Sequence, residues 1–131
     1  MIAVSVKTRE RKEMIDVTAE LARAVSEAGM KKGLVLAYVP HTTAGVTINE
    51  NADPAVPRDI LTALSKLVPE RGDYRHGEGN SDAHIQAGLV GSSASVIVDQ
   101  GRLALGTWQS VFFCEFDGPR TRKLLIKLMP G

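Results

Sequence analysis

Between Thr18 and Ala28 the apolar residues Leu21, Ala24, Val25 and Ala28 recur at three- and four-residue intervals, which predicts a helix with one buried side. Thr18 suits its start, and Gly29 suits the position just past its end, where a left-handed residue commonly closes a helix. A second stripe, Ile60, Leu61, Leu64 and Leu67, predicts a helix over Arg58 to Val68 that Pro69 closes. Arg71 to Ser81, which carries Gly72, Gly77 and Gly79, reads as an exposed loop. After it, Asp82 to Val90 reads as a short helix or helical turn starting near Ser81 and Asp82.

The remaining apolar segments have the length and spacing of strands. Leu34 to Val39 is a continuous run between Gly33 and Pro40, the mark of a buried strand, and Val46 to Ile48 is a shorter candidate. Met1 to Lys7 is rich in β-branched residues, and Glu13 to Val17 is expected to return beside it as a hairpin after the charged turn Thr8 to Lys12. Ala94 to Val98 and Arg102 to Leu105 flank Asp99-Gln100-Gly101 as another hairpin. Trp108 to Phe116 and Thr121 to Leu128 supply two further strands around Asp117-Gly118-Pro119-Arg120. Alternation puts Trp108, Ser110, Phe112, Cys114 and Phe116 on one face of the first of these, and Gln109, Val111, Phe113 and Glu115 on the other. This order predicts an α+β fold, a mixed or antiparallel sheet packed with two or three helices, rather than a βαβ repeat. No repeat or linker divides residues 1–131, so one domain is expected.

Composition narrows the function more than the fold. Sixteen Lys and Arg against fifteen Asp and Glu leave a formal charge of +1, which gives no broad positive field for nucleic acid or an anionic membrane. Any anion site must be local. The start, MIAVSVKTRERKE, lacks the apolar centre of a secretory signal, and no apolar stretch approaches the roughly 18 to 20 residues of a bilayer span. The single Cys114 excludes an internal disulfide and is most simply a core residue. Cytoplasmic residence is the expectation.

The three histidines, His41, His76 and His84, lie in polar segments at the ends of elements, where loops can bring distant residues together. Neutral imidazole is a good zinc ligand, but the spacings match no short zinc motif; hydrogen bonds that cap loops are the plainer use of any one of them. Asn49-Glu50-Asn51-Ala52-Asp53 is dense enough in carboxylates and carboxamides to hold a hydrated magnesium ion, and equally suited to a turn before Pro54. Gly77 and Gly79 before a helix start resemble a phosphate-cradling loop, yet GxGxxG would need Gly where Asp82 stands. Gly91-Ser92-Ser93-Ala94-Ser95 misses GxSxG by its last residue and precedes a strand, which excludes a nucleophile elbow. Gln109 and Glu115 can face a site, an interface or solvent, and Arg120 can bind phosphate or pair with Asp117 to hold the turn.

Three ordered segments, HTTAGVTINENADPAV, YRHGEGNSDAHIQAGLVG and GRLALGTWQSVFFCEFDGPR, resemble the YjbQ-like family, also named the secondary thiamine-phosphate synthase family, over nearly the whole chain. The resemblance implies a small α+β domain, a homotrimer and a polar pocket with His41, His76 and His84 as its catalytic residues. It further implies a transferase that joins hydroxymethylpyrimidine diphosphate to thiazole phosphate. In that reading Glu50 and Asp53, with Asn49 and Asn51, hold a divalent ion, magnesium or, if the histidines join as ligands, zinc. His41, His84 and Arg120 bind phosphate oxygens, Thr42, Thr43 and Asn80 add substrate contacts, and Gln109 orients the substrate. The alternatives are metal-dependent hydrolysis of a small phosphate ester, or binding of a phosphorylated metabolite without turnover. The family loop often reads Asn-Ala before Ala-His, whereas this chain has Asn80-Ser81-Asp82-Ala83-His84; an Asp82 facing the pocket would favour a metal over a bare phosphate.

Overall fold

Strand pairing divides the chain into two antiparallel sheets in a computed structural model that describes residues 1–131. The larger runs β1 (Ile2–Lys7), β8 (Thr121–Pro130), β3 (Gly33–Tyr38), β5 (Ser93–Asp99), β6 (Arg102–Leu103). The smaller runs β2 (Glu13–Asp16), β7 (Gln109–Glu115), β4 (Ala44–Glu50). Strand alternation explains why the sheets stack. Val35 and Ala37 of β3, Val96 and Val98 of β5, and Leu124 and Ile126 of β8 meet Val46, Val111 and Phe113 of the smaller sheet in one buried cluster. Helix α1 (Thr18–Ala28) adds Leu21, Ala24 and Val25 to that cluster, the stripe its sequence predicts, and ends on Gly29 at φ 65. Each such large apolar side chain contributes about 1.5–3 kcal/mol by leaving water.

The outer face of the smaller sheet carries a third layer. Phe112, Cys114 and Phe116, which alternation places together, pack against Ala83 and Ala87 of α3 (Ser81–Val90). Leu61 and Leu64 of α2 (Ala55–Leu67) lie over the same cluster. No residue of α2 is fully buried, and Leu67, expected on the buried stripe, is 72% exposed: the helix lies at the outside of this layer.

The hairpin expected between β1 and β2 does not form, because the two strands belong to different sheets: β1 pairs with β8, and β2 with β7. The segment between them is a crossover. It runs beside the second crossover, between β7 and β8, with the Thr8 amide bonded to the Arg120 carbonyl and the Gly118 amide to the Arg11 carbonyl. The charges in Thr8 to Lys12 are therefore used across the molecule and not in a local turn. On the larger sheet, the face away from the core exposes Leu34, Tyr38 and Ile97.

Candidate functional site

His41 stands where β3 stops. The register that pairs Tyr38 with Leu125 would set Pro40 opposite Lys123, but Pro has no amide hydrogen and the strand ends at Tyr38. The freed Lys123 amide donates instead to Nε2 of His41, at 2.9 Å. This fixes the ring at the wall of a polar groove shared with Tyr38, Thr42, Ser92 and Arg122. Through His41, Thr42 and Ser92 the groove continues into a recess of about 360 Å³ walled by His84, Gly88 and Gly91 of the α3 end. Gly45 makes that approach sterically feasible, since a Cβ there would stand 2.6 Å from the Gly91 carbonyl oxygen. His41 and His84, remote in sequence, therefore line one recess.

His84 has a second neighbour. Its ring meets that of His76 edge to face, with centroids 5.3 Å apart, and the two wall a further recess of about 460 Å³ with Asp73, Tyr74, Arg75, Ser81 and Ile85. His84 thus separates two recesses, one reaching to His41 and the other to His76.

Ion pairs anchored on buried carboxylates stand behind both walls. Glu115, wholly buried, receives hydrogen bonds from Arg122, the Thr8 hydroxyl and the Asp117 amide. Its burial works to raise its pKa, but those hydrogen bonds and the Arg122 charge outweigh burial and keep the carboxyl below the usual carboxylate range. Burial and then the Arg122 charge lower the pKa of His41 from its ordinary 6.5, so the ring is neutral near pH 7. On the α3 side, Asp82 accepts from Lys12 at 2.6 Å and from Arg11 at 3.0 Å. Burial again acts to raise this pKa, and Lys12 and Arg11 bring it below the ordinary value. Asp82 therefore turns from the groove into its cation pair, and the departure from the family loop places no free carboxylate at the site. Asp117 is held the same way: against its burial, hydrogen bonds from Asn80 and Arg120 and the charges of Arg120 and Arg11 lower its pKa.

The other candidates fall elsewhere. Thr43 is buried, its hydroxyl accepting from Arg122 at 2.8 Å. Arg120 binds the Asp117 carboxylate and carbonyl, the turn-holding alternative, and Asn80 donates to the same carboxylate at 2.9 Å. Glu50 and Gln109 are partners at the far end of the β4–β7 ladder. Glu50 lies six residues along β4 from Ala44, and at about 3.4 Å per residue that is roughly 20 Å from the histidine groove. There Asp53 accepts from the Ala55 amide, Asn49 from the Glu50 amide, and Asn51 donates to Asp16, so this segment forms the turn its composition also allows. Gln109 accepts from the Gly106 amide. No three His, Cys, Asp or Glu side chains converge within the chain.

Sequence reading missed Ser92, Arg122, Tyr74 and Arg75 as groove residues. A signal for Arg122 existed. Alternation puts it in register with Leu124 and Ile126 on the buried face of β8, and puts Glu115 with Val111 and Phe113, so two opposite charges occupy apolar rows of successive strands.

No helix is long and apolar enough to cross a membrane. The chain is similar to the UPF0047 protein MJ1081 of Methanocaldococcus jannaschii, with 52% identity over 95% of this chain and 90% of the relative. It is equally similar to YugU of Bacillus subtilis, 52% identical over 96% of each. Among solved structures, a YjbQ/UPF0047-family protein of Clostridium acetobutylicum superposes with a TM-score of 0.97 at 53% identity, covering 98% of this chain and 100% of that one. A protein of Sulfolobus solfataricus keeps the fold at 30% identity, with a TM-score of 0.95 over 99% of this chain and 96% of that one. The family described as UPF0047 protein YjbQ-like matches residues 2–131, and with the fold, the three ordered segments and these relatives in agreement, the chain belongs to that family.

Proposed function

We propose that the chain is a transferase of small phosphorylated metabolites that joins hydroxymethylpyrimidine diphosphate to thiazole phosphate, releasing pyrophosphate. The observation that carries the reading is the position of His84 as the common wall of two recesses. A reaction of two phosphorylated substrates needs two adjoining sites; hydrolysis of one ester needs only one.

In this reading the diphosphate lies along His41, Thr42 and Ser92, whose donors can meet its oxygens, with Arg122 beneath them. The acceptor ring lies against Tyr74 and Ile85, its phosphate toward Arg75 and His76. The methylene carbon–oxygen bond breaks, pyrophosphate leaves with the electron pair, and the thiazole nitrogen forms the new carbon–nitrogen bond. The protein's work is to hold the two groups in line and to stabilise charge on the departing oxygens.

Assembly completes the reading. The exposed Leu34, Tyr38 and Ile97 suit a sheet face covered by another copy, as in a homotrimer, and Tyr38 also borders the histidine groove. A neighbouring copy that seats its Glu50 end at this groove would bring Glu50, Asp53, Asn49 and Asn51 to the histidines and supply carboxylates for a divalent ion, magnesium or zinc. No step above is routed through that ion.

Purified protein supplied with both precursors and magnesium is expected to form thiamine phosphate, and a His84→Ala control is expected to form it slower by about 100-fold or more. Precursors recovered unchanged would leave a phosphometabolite-binding protein, and release of inorganic phosphate from one substrate alone would leave a hydrolase.

A further inference from the structure

We infer that Nδ1, not Nε2, is the working nitrogen of His41, and that the ring meets its ligand as a hydrogen-bond donor in an oxyanion subsite built with Thr42, Ser92 and Arg122. The inference deepens the proposed phosphate reading and rests on it for the ligand's class; the tautomer stands on geometry alone.

A backbone amide can only donate. With the Lys123 amide 2.9 Å from Nε2, that nitrogen must present its lone pair, and a neutral imidazole then carries its proton on Nδ1. The amide is available because β3 has ended and no strand carbonyl lies opposite it, so the contact satisfies an obligatory backbone donor. Nδ1 has no partner among the protein's own groups, while the ring lines both the Arg122–Ser92 groove and the His84 recess.

The surroundings select the ligand. The polar residues lining the groove beside His41 are Thr42, Ser92, Tyr38 and Arg122, the last buried with its Nε and Nη2 bonded to Glu115 and Thr43, and no carboxylate is among the lining residues. Glu115 lies behind Arg122, bonded to it and withdrawn from the groove. A donor-rich wall with no carboxylate facing it, backed by the Arg122–Glu115 pair, suits a tetrahedral oxyanion, a phosphate or the terminal group of a diphosphate. Metal ligation through Nε2 would first have to break the Lys123 contact.

The test is nitrogen NMR of uniformly labelled full-length protein at neutral pH, with His41 resonances assigned by their loss in His41→Gln and inorganic phosphate as probe. The expected spectrum has a pyrrole-type Nδ1 and a pyridine-type Nε2 in the free protein, and added phosphate shifts Nδ1 more than Nε2. A protonated Nε2 with a bare Nδ1 overturns the inference even if phosphate binds. An unmoved His41 with a shifted His84 overturns the donor role and leaves the phosphate reading standing; both rings unmoved overturns both.

Discussion

The two ends of β4 carry similar polar chemistry and do opposite things with it. At the Ala44 end, His41 and His84 keep ring atoms facing a recess, while the carboxylates behind them, Glu115 and Asp82, are buried and satisfied by Arg122 and by Arg11 and Lys12. At the Glu50 end, the carboxamides and carboxylates lie at the surface and spend hydrogen bonds on neighbouring backbone and on Asp16. Dense polar sequence alone does not make a site; a site needs groups left free by a framework that is itself satisfied.

The sharpest break between the ends is expected in turnover. His41→Ala or His84→Ala should lower it by about 100-fold or more with the fold intact, the usual scale for a group acting directly on the reacting substrate. Circular dichroism run beside the assay checks the fold, and activity within a few-fold of wild type would remove that histidine from the chemistry. Glu50→Ala separates two cases. If a neighbouring copy completes the site, Glu50→Ala is inactive and mixing it with inactive His84→Ala subunits restores part of the activity; a site confined to one chain leaves Glu50→Ala itself active, since Glu50 lies at the far end of β4.

Stability sharpens the contrast next. Arg122→Ala leaves Glu115 charged and buried without its main partner, which should cost about 3–5 kcal/mol in denaturant unfolding. Asp53→Ala, which removes a single exposed turn bond, should cost only about 1 kcal/mol. Equal losses would contradict the division into a buried framework and a surface turn.

Acid should expose the same framework. Asp82, Glu115 and Asp117 have lower pKa values folded than unfolded, so the unfolded chain binds more protons as pH falls through this range. Their stabilisation is fully present above their ordinary carboxylate values and disappears as pH falls through the lowered ones. The lowered pKa of His41 acts with the same sign, beginning below its ordinary 6.5. Asp82→Asn should be less stable at neutral pH and should show a flatter decline toward acid, measured by urea midpoints; curves parallel to wild type would deny the pair its role. The smallest effect concerns Cys114, whose thiol burial pushes up to about 12: native protein should resist a thiol reagent that labels it after denaturation.

What could be read from the chain followed from local periodicity. The stripe of α1 and the two faces of β7 appear where spacing puts them, and so does β3, although it is not the fully buried strand its apolar run suggests: Val35 and Ala37 are buried, Leu34 and Tyr38 exposed. Partition into two sheets did not follow, because alternation reports which side of a strand is buried and not which strand lies beside it. That gap produced the false β1–β2 hairpin and hid the role of Arg11 and Lys12 as partners of Asp82. The histidines were visible as polar residues near the ends of elements, His84 in the first turn of α3, and the family resemblance grouped them. The Lys123 amide that orients His41 was not visible, since it arises only where β3 stops against a longer β8.

Calorimetric titration of pyrophosphate into wild type, His41→Ala and His84→Ala tests the central claim without requiring turnover. The account expects saturable binding to wild type and a loss of about tenfold or more in affinity, near 1.4 kcal/mol, in each variant. Undiminished binding in both variants, or none to wild type, would contradict the assignment of the groove between these histidines as a phosphate site.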